Sequence, residues 1–119
     1  MLAYGPLAHG LLGGTINRTT TFDASDWRSH SPAFTGPGFR RNLQVVAALR
    51  AFAADRGATI AQLAVAWVLA QPAVQVAIVG ARTPAHLAES IGALDLALSQ
   101  DDLAEIGRAS CRERVYGPV

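Results

Sequence analysis

Nine residues, Val76-Ala77-Ile78-Val79-Gly80-Ala81-Arg82-Thr83-Pro84, set an apolar strand, a glycine, an arginine and a helix start in a row. Thr83 is a good N-cap residue, and Pro84 falls at the first helical position, where a missing N–H costs nothing. A helix N-terminus offers unpaired N–H groups and a partial positive charge, to which Arg82 adds a full one. Gly80 lets a ligand come close to the backbone. These residue types in this order suit a phosphate held at the carboxyl end of a strand.

Other chemistries find less support. No Cys/His cluster has metal-ligand spacing, so no metal is expected. Cys111 is the only cysteine and cannot form an internal disulfide, which points to a cytoplasmic setting. The net charge is +1 and half of the chain is hydrophobic. No basic stripe interleaved with aromatics appears, which argues against a nucleic-acid partner. No apolar run reaches the length of a membrane span, and no signal-peptide pattern opens the chain.

The elements that must position the phosphate site can be read in order. Met1 to Tyr4 reads as a strand end, broken by Gly5-Pro6. Thr15 to Gly38 is a long polar loop, with Trp27, Phe34 and Phe39 as residues that pack it down; a loop this long is usually functional or disordered. Within it Gly36-Pro37-Gly38 reads as a turn. Leu43, Val46, Leu49 and Phe52 recur at helical spacing and predict an amphipathic helix over 42–56. Thr59 and Gln62 form a capping-box pair, opening a helix so apolar that burial is expected, with Trp67 in the core. Val74 to Val79 predicts a parallel strand covered on both faces. Leu87, Ile91 and Leu94 line the helix after Thr83. Ser99 caps a last helix with Asp101 and Asp102 in its first turn.

Two strand-to-helix units cannot close a sheet or bury their own faces. The expectation is therefore a piece of a larger α/β protein. A (β/α)8 barrel suits best, because its phosphate site commonly lies in the loops after strands seven and eight.

Five segments then resemble one family. Ala3-Tyr4-Gly5-Pro6-Leu7-Ala8-His9-Gly10-Leu11-Leu12 is similar to the strand-seven segment of aldo-keto reductases. Asp26-Trp27-Arg28-Ser29 with Pro32, Phe34, Phe39 and Asn42-Leu43 resembles the loop that follows it. Thr59 to Leu69 resembles the family's T-x-A-Q-L-A-x-A-W-V-L helix, Ile78 to Glu89 its strand-eight cofactor segment, and Leu96 to Leu103 its closing L-x-L-S-x-x-D-L.

The resemblance implies the C-terminal portion of an α/β TIM barrel, incomplete in this chain, from an NADP-dependent oxidoreductase that reduces aldehydes or ketones by hydride transfer. It implies that Tyr4 stacks on the nicotinamide, that Gly5 and Leu7 lie at the pyrophosphate with His9 beside them, and that Gly80 and Arg82 hold the 2′-phosphate. His86, Glu89 and Ser90 match adenine-side positions. Gly5 departs from the usual serine and Ser90 from the common asparagine. The family's catalytic Asp, Tyr, Lys and His match no position here, and the chain contains no lysine. The fragment is thus expected to hold part of a cofactor without performing the reduction. The alternative is a fragment of a non-catalytic nucleotide-sensing barrel subunit.

Plainer readings stand beside these. Tyr4 reads equally as a half-buried strand-end residue, and the Gly-Pro-Leu after it favours stacking. His86 also suits a solvated helix turn, and Glu89 a pair with Arg82 or a turn cap. Trp27 reads as a loop anchor. Residues 1–105 are expected to be native. Residues 106–119 break the apolar pattern and resemble the translation of a sequencing adapter, which predicts a read-through tail.

Overall fold

A computed structural model describes residues 1–111. The chain begins with strand β1 (Leu2–Tyr4), followed by a short 3-10 turn at Ala8–Gly10 and a long loop containing a second one at Trp27–His30. Helices α1 (Gly36–Asp55) and α2 (Ile60–Leu69) come next, then strand β2 (Val76–Ile78), helix α3 (Pro84–Gly92), a 3-10 turn at Ala93–Asp95 and helix α4 (Gln100–Cys111).

β1 and β2 pair in parallel, with Leu2 opposite Val76, Ala3 opposite Ala77 and Tyr4 opposite Ile78. Alternation along a strand sends Ala3 and Ala77 to one face and the other four residues to the opposite face. Ala77 packs on a cluster built from Val65, Ala66 and Ala93. Leu2, Tyr4, Val76 and Ile78 are exposed. The sheet is therefore covered on one face, and the expected two-sided burial of the second strand is not found among the described residues.

The main core lies between α1 and α2, where Val45, Val46, Leu49, Phe52, Ile60 and Leu63 meet Leu11, Phe34 and Ile106. The capping box at α2 is present: Gln62 N donates to Thr59 Oγ1 at 3.2 Å, and Thr59 N donates to Gln62 Oε1 at 3.0 Å. Ser99 and Asp102 exchange the same pair of bonds at 3.1 and 3.0 Å and start α4.

Two expectations need correction. Gly36-Pro37-Gly38 is the first turn of α1, which begins six positions before the predicted 42. A proline in the first helical turn leaves no bond unmade. Gly38 is required there by a close approach, since a Cβ on it would lie 2.2 Å from the Pro32 carbonyl oxygen. Trp67 is 39% exposed rather than core, because its side of α2 carries no covering layer among the described residues.

α4 continues beyond Glu105, and Ile106 is buried against the main core. The remainder of the predicted tail, 112–119, lies outside the described residues. No helix among the described residues is long and apolar enough to cross a membrane.

Candidate functional site

The parallel register brings two distant segments to one edge of the sheet. Tyr4 and Ile78 are opposite each other at the carboxyl ends of their strands. Gly5 and Gly80 follow within two residues of those ends. The segments predicted to hold a phosphate thus emerge side by side.

Local chemistry shapes each. Gly5 has φ +70°, a left-handed conformation open to glycine at little cost, and a Cβ there would meet nothing within 4 Å. The departure from the usual serine therefore coincides with a backbone conformation that favours glycine. Gly80 likewise borders open space. Leu7 enters the first 3-10 turn, and its carbonyl accepts from Gly10 N at 3.1 Å and Leu12 N at 3.0 Å. Tyr4 is 83% exposed, at a strand position that belongs to the uncovered sheet face.

On the second strand, Thr83 caps α3 by accepting from His86 N at 3.1 Å, and Pro84 occupies the first turn. Arg82 stands exposed just before the cap and makes no ion pair among the described residues. A cation and a helix N-terminus therefore share one exposed surface, an arrangement that favours an anion. His86 is exposed in the first turn of α3.

Glu89 and Ser90 are half-buried further along α3. Glu89 neither pairs with Arg82 nor caps a turn. Its carboxylate accepts from Thr59 Oγ1 at 2.8 Å, and its backbone carbonyl accepts from Gln62 Nε2 at 3.0 Å. Register sets Tyr4 beside Ile78, and Leu7 and Val79 pack on the same small cluster; Arg82 and His86 lie further along, at the start of α3, and Glu89 is drawn toward α2.

Residues that sequence reasoning missed hold these segments in place. Thr59 and Gln62 were legible as a cap, but their grip on α3 was not. Gly92 is needed for that grip, since a Cβ on it would lie 2.5 Å from Gln62 Nε2. Arg28 reaches from the long loop to the first segment: Nη1 donates to the His9 carbonyl at 2.9 Å, while Nη2 binds Asp26 Oδ2 at 2.7 Å. The hydrogen bonds from Arg28 hold the Asp26 carboxyl below its ordinary value. Ala8 and His9 both have positive φ, at 51° and 57°. Left-handed backbone costs L-residues roughly 1–2 kcal/mol each, so neighbouring bonds must hold it. Trp27 is a loop anchor as expected, edge-on to the His9 ring at 4.9 Å.

An open apolar groove of about 710 Å³ runs from Tyr4 and Gly5 between α1 and α2, past Leu63, Trp67 and Ile106. Gly80, Arg82, His86, Glu89 and Ser90 do not line it. It is a separate surface from the anion-favouring one.

Comparison with known proteins bears on the family and the fold. The family model for the aldo/keto reductase family matches residues 1–110. An aldo-keto reductase of Bacillus subtilis, YhdN, is 41% identical over 87 residues, covering 72% of this chain and 26% of that protein. The aldo-keto reductase str7 of Strobilurus tenacellus is 31% identical over 117 residues, covering 98% of this chain and 35% of that protein. The solved structure of a glycerol dehydrogenase from Gluconobacter oxydans superposes with a TM-score of 0.90 at 34% identity, covering 99% of this chain and 36% of that one. The chain spans about a third of the length of the relatives it matches. Its parallel strands and flanking helices are an α/β unit consistent with part of a TIM barrel. The chain belongs to the aldo/keto reductase family.

Proposed function

We propose that the protein carrying this chain reduces aldehydes or ketones with NADPH, and that these residues hold the cofactor. The observation that carries the reading is the adjacency of Tyr4-Gly5 and Ile78-Val79-Gly80 at one sheet edge, with Arg82 and the capped start of α3 just beyond. Open space beside both glycines leaves room for a phosphate. Relatives bear on the cofactor too: one from Schizosaccharomyces pombe, 32% identical over 117 residues, carries NADP(+) in its name.

In this reading the strands are the seventh and eighth of a barrel, and the exposed sheet face and apolar groove are covered by the rest of it. Arg82 and the first N–H groups of α3 bind the 2′-phosphate. Gly5 and Leu7 border the pyrophosphate, and Tyr4 offers a flat apolar face to the nicotinamide ring. His86, Glu89 and Ser90 take the adenine side, Glu89 with its carboxylate already held by Thr59. When bound, NADPH supplies the hydride. A phenol near pKa ~10 donates a proton well near neutrality only beside a cation such as lysine. With no lysine in these 119 residues, that task is assigned to residues outside them, and the chain alone is expected to be inactive.

The test is a fluorescence titration of the whole protein with NADPH and NADH, run beside carbonyl turnover. Tight NADPH binding with turnover supports the reading. Binding without turnover would assign the nucleotide-sensing alternative. Absence of dinucleotide binding would refute both. A cytoplasmic setting belongs to the same proposal, as does an adapter origin for 106–119, which genomic DNA encoding that same run would refute.

A further inference from the structure

The turn that follows β1 is held from outside itself. Its internal bonds run from Ala8 N to Gly5 O at 3.1 Å and from Gly10 N and Leu12 N to Leu7 O. These leave the carbonyl of His9, the second of the two left-handed residues, to be met by Arg28 Nη1 at 2.9 Å. Gly10 favours the approach: its φ of +97° suits glycine, and a Cβ on it would lie a tight 3.3 Å from that same nitrogen.

Arg28 arrives already aimed. Nε donates to both oxygens of Asp26 at 3.1 Å, and Nη2 donates to Oδ2 at 2.7 Å. The Phe22 ring lies 4.4 Å from the guanidinium carbon. The planar fork is thus divided between a carboxylate that orients it and a backbone carbonyl that it fixes. A lysine ammonium, a point charge without a fork, cannot serve both in this geometry.

We propose that Arg28 is a positioning residue that clamps the long loop on to the His9 carbonyl and thereby holds Gly5 to Leu7 in the shape that receives a dinucleotide's phosphates. The inference rests on the cofactor reading above. Arg28 touches no part of the anion-favouring surface; it acts through the His9 carbonyl.

The experiment uses the whole protein and the variants Arg28→Ala, Arg28→Lys and Asp26→Asn. Two quantities are read: hydrogen exchange of the Gly10 and Leu12 amides without dinucleotide, and the Kd for NADPH. Arg28→Ala is expected to speed exchange at both amides and weaken NADPH about tenfold, as for loss of a charge-assisted bond. The KM for NADPH is expected to rise by a larger factor than kcat falls. Arg28→Lys should rescue neither quantity fully. Faster exchange with unchanged NADPH affinity would overturn the positioning role and leave a plain loop staple. Unchanged exchange would overturn the clamp itself. Wild-type protein that binds no dinucleotide would overturn the cofactor reading and this assignment with it, whereas binding that Arg28→Ala leaves intact would overturn this assignment alone. Should Arg28→Ala fail to fold, Asp26→Asn keeps the guanidinium but loosens its aim, and the same two readouts decide.

Discussion

Thr59 Oγ1 donates to Glu89 Oε1 at 2.8 Å while accepting from Gln62 N, so one hydroxyl starts α2 and holds α3. Gln62 works the same way, accepting from Thr59 N and donating to the Glu89 carbonyl. Thr59→Ala should therefore lower stability by about 1 kcal/mol from the cap, with an added loss at the half-buried Glu89 carboxylate. Thr59→Ser should recover most of it. Denaturant titration of the whole protein measures both, and an alanine variant as stable as the wild type would remove Thr59 from this role.

Arg82 stands exposed beside the α3 cap without a protein partner among the described residues. A charge-assisted contact to a phosphate contributes on the order of 1.5–3 kcal/mol. Arg82→Ala should accordingly weaken NADPH roughly 10- to 100-fold while leaving NADH nearly unchanged, because only the former carries the 2′-phosphate. Equal losses for both dinucleotides in a binding titration would move Arg82 away from that phosphate.

Gly38 sits in the first turn of α1 against the Pro32 carbonyl, where a Cβ would lie 2.2 Å from oxygen. Backbone on both sides prevents relief by a rotamer change. Gly38→Ala is expected to destabilise by roughly 1–3 kcal/mol, the usual range for overpacking. Gly80→Ala, where a Cβ would meet nothing within 4 Å, is the control for stability, and comparable thermal shifts for the two would contradict the account.

Arg56 Nη2 meets Asp102 Oδ1 at 2.5 Å and joins the end of α1 to the start of α4. The hydrogen bond from Arg56, followed by that from Ser99 N, holds the Asp102 carboxyl below its ordinary 3.8. A folded-state value that is depressed contributes stability present above the unfolded value and lost as pH falls through the folded one. Stability should thus decline below about pH 4, with a shallower acid limb in Asp102→Asn. Unfolding curves collected down the acid range check the slope; identical limbs would show that the pair contributes nothing.

Leu2, Tyr4, Val76 and Ile78 form an exposed apolar face on a sheet of two strands. Such a face promotes association. The 119-residue polypeptide on its own should self-associate and bind an apolar dye, and Tyr4→Lys with Ile78→Lys should reduce both. Light scattering that shows a stable, dye-free monomer would falsify this expectation.

Much of the local structure was legible in the residues. The Thr59–Gln62 box, the Thr83-Pro84 start and the Ser99 cap depend on hydrogen bonds spanning three positions, so neighbours in the chain suffice to specify them. The amphipathic repeat of α1 was legible for the same reason, although its start was misplaced because Gly-Pro-Gly suits a turn as well as a helix entry. Trp67 was misjudged because burial depends on what lies opposite, which periodicity along one helix does not report.

Spacing and residue type were enough to mark Gly80, Arg82 and the start of α3 as one anion-favouring unit, since strand, glycine and cap follow one another directly. That Tyr4 would stand opposite Ile78, that Glu89 would turn to Thr59, and that Arg28 would reach the His9 carbonyl depended on folding. Those contacts join parts of the chain separated by whole helices or by a long loop, and their partners are selected by packing and strand register rather than by adjacency.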